Sequence, residues 1–250
     1  MSLIDLPLVK LTNPDVSLPG LFVLHLSNGV ENRITQQLIS EITQALDHID
    51  ERLDRLSGED AAKGGALITM SSGKFFSNGL AIDDAIATGD AFYLPFMRML
   101  ARILTFRVPT IAALNGHAFA GGCMLALAHD YRVMRADRGW MAMNEIDLGI
   151  PLMPGMAAIV RCKVQGAHLR DCVLTAHRFK ASDAVAAGFV DRAVQESELN
   201  DAAMQYARAL APKARGLGSV LHQIKAEIYR DTVALLLAGG TSPGGYMAKL

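Results

Sequence analysis

The stretch "GHAFAGGCMLALAHDY" spans residues 116–131. An apolar segment runs into Gly121-Gly122, and a helix with little polar character follows. The first amides of a helix have no intrahelical acceptor. Without a Cβ beside them, a ligand can come close to the main chain. Downstream, "MNEIDLGIP" (143–151) sets one carboxylate, Glu145, among apolar neighbours. These two stretches pose the question of why a bare helix start and a lone acid occur together.

Working outward, the pattern alternates. "LFVLHLS" (21–27), "GALITM" (65–70), "TIAALNG" (110–116), "YRVMR" (131–135) and "WMAM" (140–143) read as short buried strands. Between them the periodicity predicts helices over 31–56, over 90–107 and near 155–165, with residues 71–80 as a loop. Pro109 stops the second of these helices. In "ASDAVAAGFVDRAV" (181–194), Ser182 is expected to cap a helix and Gly188 to stop it. Helices over 197–209 and 217–238 complete the chain. Strand and helix alternate first and helices come last, so the fold class is α/β with a helical C-terminal region.

The bulk numbers exclude several functions. A net charge of -1 over 250 residues argues against a nucleic-acid surface. Charged residues make up only 20% and mean hydropathy is +0.24, which predicts apolar surface buried in an oligomer. Cys123, Cys162 and Cys172 are few and set in apolar helical contexts, so they read as reduced core residues. Neither they nor the histidines show zinc spacing. The N-terminus lacks the pattern of a secretory signal, and no apolar run is long enough to span a membrane. The last residues, Ala248-Lys249-Leu250, follow a Gly-rich lead and resemble the Ser-Lys-Leu class of peroxisomal address, with Ala in place of Ser.

"FFSNGL" (75–80) and "FAGGCM" (119–124) share one layout: a strand, a Gly-containing turn and a helix start. Each alone could be a plain βα turn. If their amides converge, they form an oxyanion hole. In order, "FFSNGL", "NGHAFAGGCMLALAHDYRVM", "MNEIDLGIPLMPG" and "ASDAVAAGFVDRAV" resemble the crotonase superfamily, the enoyl-CoA hydratase/isomerase family. The resemblance runs from about residue 20 to 195 and is strongest over 110–155.

The resemblance implies a crotonase-like spiral of ββα units over 1–195. It implies a helical oligomerisation region over 196–238 and a homotrimer or hexamer; the family's common Lys- and Arg-rich C-terminal helix is replaced here by a Gly-rich stretch over 239–250, which reads as a flexible tail. It also implies an acyl-CoA thioester held by the Leu80 and Gly121 amides, with Ser77, Asn78, Gly79, Ala81 and Met124 around it. Coenzyme A is then part of the substrate, and no separate cofactor or metal is expected. Hydratases of the family carry two glutamates. Here one of those positions is Met124 and the other is Glu145. One acid suits a proton shuttle: a 3-enoyl-CoA would become a trans-2-enoyl-CoA through a dienolate. "HDYRVM" and "EIDLGIPL" look most like the plant-type peroxisomal Δ3,Δ2-enoyl-CoA isomerases. A role in β-oxidation of unsaturated fatty acids, in the peroxisome matrix and by way of an import receptor, follows from that likeness. Hydration or thioester hydrolysis using Glu145 with Asp147, or non-catalytic acyl-CoA binding, are the alternatives.

Met124, Met141, Met143, Ile146 and Leu148 are expected to desolvate Glu145 and raise its pKa. Asp147 reads as structural, paired with an arginine. Asp83 stands two positions beyond the place where many relatives carry an Asp after the first oxyanion residue. Lys74 and Lys225 are candidates for the CoA phosphates, with a solvated surface lysine as the plainer reading. His25, His117, His129 and Cys123 read as packing residues.

Overall fold

The computed structural model describes residues 1–88 and 90–239. The tripeptide at 248–250 and the tail before it lie outside them. Strands β1 (Ser2–Asp5), β2 (Val9–Thr12) and β3 (Gly20–Leu26) form an antiparallel meander, followed by helices α1 (Gln36–Asp54) and α2 (Gly58–Lys63). Then come β4 (Gly65–Met70), β5 (Phe75–Ser77), α3 (Ile82–Thr88) and α4 (Asp90–Leu104). The next two units are β6 (Thr110–Leu114), β7 (His117–Phe119), α5 (Gly121–Ala128), and β8 (Tyr131–Arg135), β9 (Met141–Ala142), α6 (Pro154–Lys163). Helices α7 (Gly166–Leu174) and α8 (Ala181–Ala186), strand β10 (Arg192–Val194), and helices α9 (Leu199–Leu210), α10 (Ser219–Ile228) and α11 (Arg230–Ala238) follow.

Three consecutive ββα units place their first strand in a seven-stranded sheet, ordered β1-β2-β3-β4-β6-β8-β10, and their second in a three-stranded sheet, β5-β7-β9. Pairing from β3 onward and throughout the small sheet is parallel. Parallel strands covered on both faces need apolar residues at nearly every position. β4 and β6 meet that demand, with Leu67, Ala112 and Leu114 on one face and Ala66, Ile68, Ile111 and Ala113 on the other. The first set joins the core beneath α1, α4 and α5. The second packs on Leu199, Ala202, Ala203 and Ala207 of α9, whose small side chains let that helix lie close. This is the crotonase fold.

Several expected boundaries move. α1 begins at Gln36 because Thr35 caps it, its Oγ1 accepting from Leu38 N at 3.1 Å. The expected loop 71–80 contains β5, a strand too short to show periodicity. Lys180, not Ser182, occupies the cap position of α8, and Ser182 lies inside the first turn. The last expected helix breaks at Tyr229 into α10 and α11.

Lys225 is a correction of larger consequence. It is buried, and its Nζ donates to Phe106 O at 2.8 Å, Val108 O at 3.1 Å and Asp130 Oδ2 at 2.5 Å. Asp130 in turn accepts from Thr110 N at 2.8 Å. The lysine therefore bolts α10 to the loop entering β6 and has no charge left for a ligand. Replacing Lys225 with Met should cost roughly 3–5 kcal/mol in urea unfolding, because the largely buried Asp130 carboxylate loses its cationic partner. Lys225→Met combined with Asp130→Asn should cost less than the sum of the two single changes. Independent, additive effects would contradict this account.

Candidate active site

Parallel pairing in the small sheet sends three chain segments out at the same edge. Phe75 pairs with His117, Ser77 with Ala118, Ala118 with Met141 and Phe119 with Ala142. Beyond the strand ends lie Asn78-Gly79-Leu80, Ala120-Gly121 and Met143-Asn144-Glu145. Open α/β sheets bind ligands at this carboxyl edge.

The first segment is tied to the chain entering α1. Ile34 N donates to Gly79 O at 2.8 Å, and Ala81 N to Ile34 O at 3.0 Å, making a parallel bridge between Ile34 and Leu80. In such a bridge the N–H of Leu80 itself points to the opposite side. No acceptor among the described residues takes it. On that side lies Gly121, the first residue of α5, whose N–H also has no acceptor among the described residues. A Cβ on Gly121 would sit 3.3 Å from Leu80 N, and one on Gly79 would sit 3.3 Å from Gly121 N. The two free amides therefore adjoin.

Two features hold them there. Ala120 adopts φ 48°, ψ -120°, a strained conformation for a residue with a side chain, and its N–H donates to Ala142 O at 2.9 Å. The strain turns the chain into α5 directly before Gly121. Gly122 lets α5 press on β5, since a Cβ there would lie 2.3 Å from Ser77 O. Ser77 is fully buried, its Oγ donating to Asn32 O at 2.7 Å and accepting from Gly79 N at 3.3 Å. Ser77 thus props the first loop from behind and does not line a ligand surface, contrary to the sequence expectation. Asn78 and Ala81 are half-buried, and their amides are spent on Glu31 O and Ile34 O.

Glu145 is 9% exposed, and its Oε2 is buried with no hydrogen-bond partner. Burial pushes its pKa up to about 7, against the opposing pull of its own backbone N–H. Met124, Met141 and Met143 are fully buried beside this region. Cys123, on α5, and Cys172, on α7, both feel the Glu145 charge, after burial as the main cause of their raised pKa values. The carboxyl group is therefore within electrostatic reach of both α5, the helix that carries the Gly121 amide, and α7. Ile146 and Leu148 do not help to desolvate it: they are 52% and 45% exposed. The reason is a turn, in which Leu148 N and Ile150 N both donate to Glu145 O. The same turn points Asp147 into solvent, with no ion pair among the described residues, so the expected arginine partner is not found.

His129 is buried. Its Nδ1 faces Leu125 O at 2.8 Å and its Nε2 faces Thr69 Oγ1 at 2.8 Å, and burial lowers its pKa to about 4. It is a neutral core residue. His117 is held among aromatic rings, His25 is half-buried on β3, and Lys74 remains exposed. No cluster of three His, Cys, Asp or Glu side chains able to hold a metal occurs among the described residues. Sequence reasoning missed a cleft of about 640 Å³ beside the first loop, lined by Asn28, Val30, Arg33, Thr35, Ala81 and Ile82 among others. The Asn28-Gly29 turn before α1 was its only visible sign. Ala120 was missed too, because strain leaves no mark on residue type.

The family model described as enoyl-CoA hydratase/isomerase matches residues 19–236. Enoyl-CoA delta isomerase 3 of Arabidopsis thaliana is 36% identical over 221 residues, covering 84% of this chain and 89% of that protein. Peroxisomal enoyl-CoA delta isomerase 2 of the same plant is 35% identical, covering 86% of this chain and 91% of that one. Among solved structures, a Mycobacterium tuberculosis enoyl-CoA isomerase in its apo form superposes with a TM-score of 0.80 at 22% identity, covering 97% of this chain and 98% of that one. Fold, paired loops and relatives agree, and the chain belongs to the enoyl-CoA hydratase/isomerase family.

Proposed function

We propose that this enzyme moves the 3,4 double bond of an unsaturated fatty acyl-CoA to the trans-2,3 position. One observation carries the reading: Glu145 is the one carboxylate with a buried, unpartnered oxygen among the described residues, and Met124 stands where a second acid would. The substrate thioester oxygen takes hydrogen bonds from Leu80 N–H and Gly121 N–H. Ionised Glu145 removes a proton from the carbon between the carbonyl and the double bond. The electron pair passes into a dienolate, and the charge settles on the thioester oxygen. One oxyanion donor is typically worth about 3 kcal/mol. Protonated Glu145 then returns the proton to the far end of the dienolate, and no water is consumed. The methionines disfavour water, which supports isomerisation over hydration. The cleft beside Ala81 offers room for the coenzyme portion of the substrate.

The reaction places the enzyme in the β-oxidation of unsaturated fatty acids. Two relatives are named as peroxisomal, which supports the peroxisome matrix as the site of action and a peroxisomal import receptor as a partner. The chain's apolar composition supports assembly as a homotrimer or a hexamer.

With 3-hexenoyl-CoA the product should be the 2-enoyl-CoA; a 3-hydroxyacyl product or free CoA would point to hydration or hydrolysis, and binding without turnover to a non-catalytic role. Glu145→Gln should lower kcat by about 10²- to 10⁴-fold while ligand binding is kept. Because the base must be ionised, wild-type kcat should rise with pH and level off above about 7. Stability should move the other way. The folded pKa lies above the ordinary value, so the folded state holds its proton between pH 4.5 and about 7 while the unfolded chain loses it. Stability is complete below that window and falls across it, by on the order of 3 kcal/mol. Glu145→Gln should remove this fall in pH-dependent denaturation. In cells, a fluorescent fusion lacking residues 248–250 should stay outside peroxisomes; unchanged peroxisomal import would refute the tripeptide's role.

A further inference from the structure

The cleft beside Ala81 and the loop that carries the Leu80 amide share one length of chain. Residues 28–35, between β3 and α1, line the cleft through Asn28, Val30, Arg33 and Thr35, together with Ala81 and Ile82. The same residues clamp the loop. Asn78 N donates to Glu31 O at 2.9 Å, Ile34 N to Gly79 O at 2.8 Å and Ala81 N to Ile34 O at 3.0 Å. Whatever fixes this segment therefore fixes the loop as well.

Asn32 stands in the middle of the clamp. It is 2% exposed and is not among the residues that line the cleft. Its φ of 45° lies in the left-handed region, which asparagine tolerates better than most residues. The bend turns its polar groups onto two neighbours. Its Oδ1 accepts from Asn28 N at 2.7 Å, its Nδ2 donates to Phe75 O at 3.2 Å, and its carbonyl accepts from Ser77 Oγ at 2.7 Å. One buried residue thus ties Asn28, in the cleft wall, to both ends of β5. Asn28 is held from a second side, its Nδ2 donating to Arg33 O at 2.6 Å. From Ser77 the route continues through Gly79 N, 3.3 Å from Ser77 Oγ, to the neighbouring Leu80. A buried network of this kind acts as a unit, because one lost donor or acceptor leaves its partner unsatisfied.

We propose that Asn32 is a positioning residue that converts binding of the coenzyme portion in the cleft into a firmer oxyanion hole. The inference rests on the isomerase reading given above and adds the route by which a remote part of the substrate acts on the reacting carbonyl. Negative charge settles on the thioester oxygen only as the proton leaves. Holding the Leu80 N–H in place therefore favours the transition state over the bound substrate. A coenzyme portion seated in the cleft immobilises Asn28 and Arg33. Asn32 passes that constraint to β5 and so to Leu80. The coenzyme portion then contributes to kcat and not to affinity alone.

The test compares 3-hexenoyl-CoA with the 3-hexenoyl thioester of N-acetylcysteamine, which has the same reacting atoms and no nucleotide. In the wild type, kcat should be at least about tenfold higher with the CoA ester. Asn32→Gly keeps a backbone suited to positive φ and removes the side-chain link. It should bring the two kcat values within about threefold of each other, chiefly by lowering the value for the CoA ester, and KM for that ester should move less than kcat. Ser77→Ala, which cuts the same route one step further on, should shift the ratio in the same direction. Circular dichroism checks the folding of both variants. An equal loss with both esters would mark a purely structural role and overturn the inference, as would a wild-type ratio near one or an unaltered ratio in the variants. In each of those cases, 2-enoyl product from the wild type leaves the isomerase reading standing. No such product from either ester would overturn both.

Discussion

The site depends on a carboxyl group that the fold buries and leaves without a partner. An acid in water is a weak base for a carbon-bound proton. Taken out of water, Glu145 holds its proton more tightly, and burial is the cause of that upward shift. The same desolvation is a liability for folding. The surrounding structure must therefore be stable enough to keep an unpaired acid inside, and the close-packed layers on both faces of the large sheet supply that stability.

What turns a buried acid into a site is the parallel small sheet. Three strands of two or three residues would be marginal alone. Here each is the second strand of a ββα unit whose first strand is anchored in the large sheet. The repetition brings three loops to one edge. The first loop contributes an amide freed by the Ile34 bridge, the second an amide set by strain at Ala120, and the third the acid. Gly79 and Gly122 are small because backbone stands where their Cβ atoms would be, and Gly121 because the Leu80 side chain crowds that position.

The features legible in the sequence were those with local causes. The helix of α1, the apolar strands β3, β4 and β6, the glycine pair and the apolar setting of Glu145 all follow from composition over a few residues. The hidden features depend on distant partners. Lys225 reads as a surface lysine until Asp130, 95 positions away, is seen beside it. Ser77 reads as a ligand contact until Asn32 O, 45 positions away, claims its hydroxyl. Ile146 and Leu148 read as walls of the acid's pocket because they neighbour it in sequence, whereas two amides bonding to Glu145 O fold the segment into a turn that leaves both side chains exposed. β5 and β7 are too short for a period of two to show.

The central claim is one acid and two amides acting on one thioester. A crystal structure with an unreactive 3-enoyl-CoA analogue measures it directly. The account predicts the thioester oxygen within about 3 Å of both Leu80 N and Gly121 N, with the Glu145 carboxyl against the carbon next to the thioester. A thioester oxygen held by other groups, or a Glu145 side chain turned away from the bound chain, would contradict it.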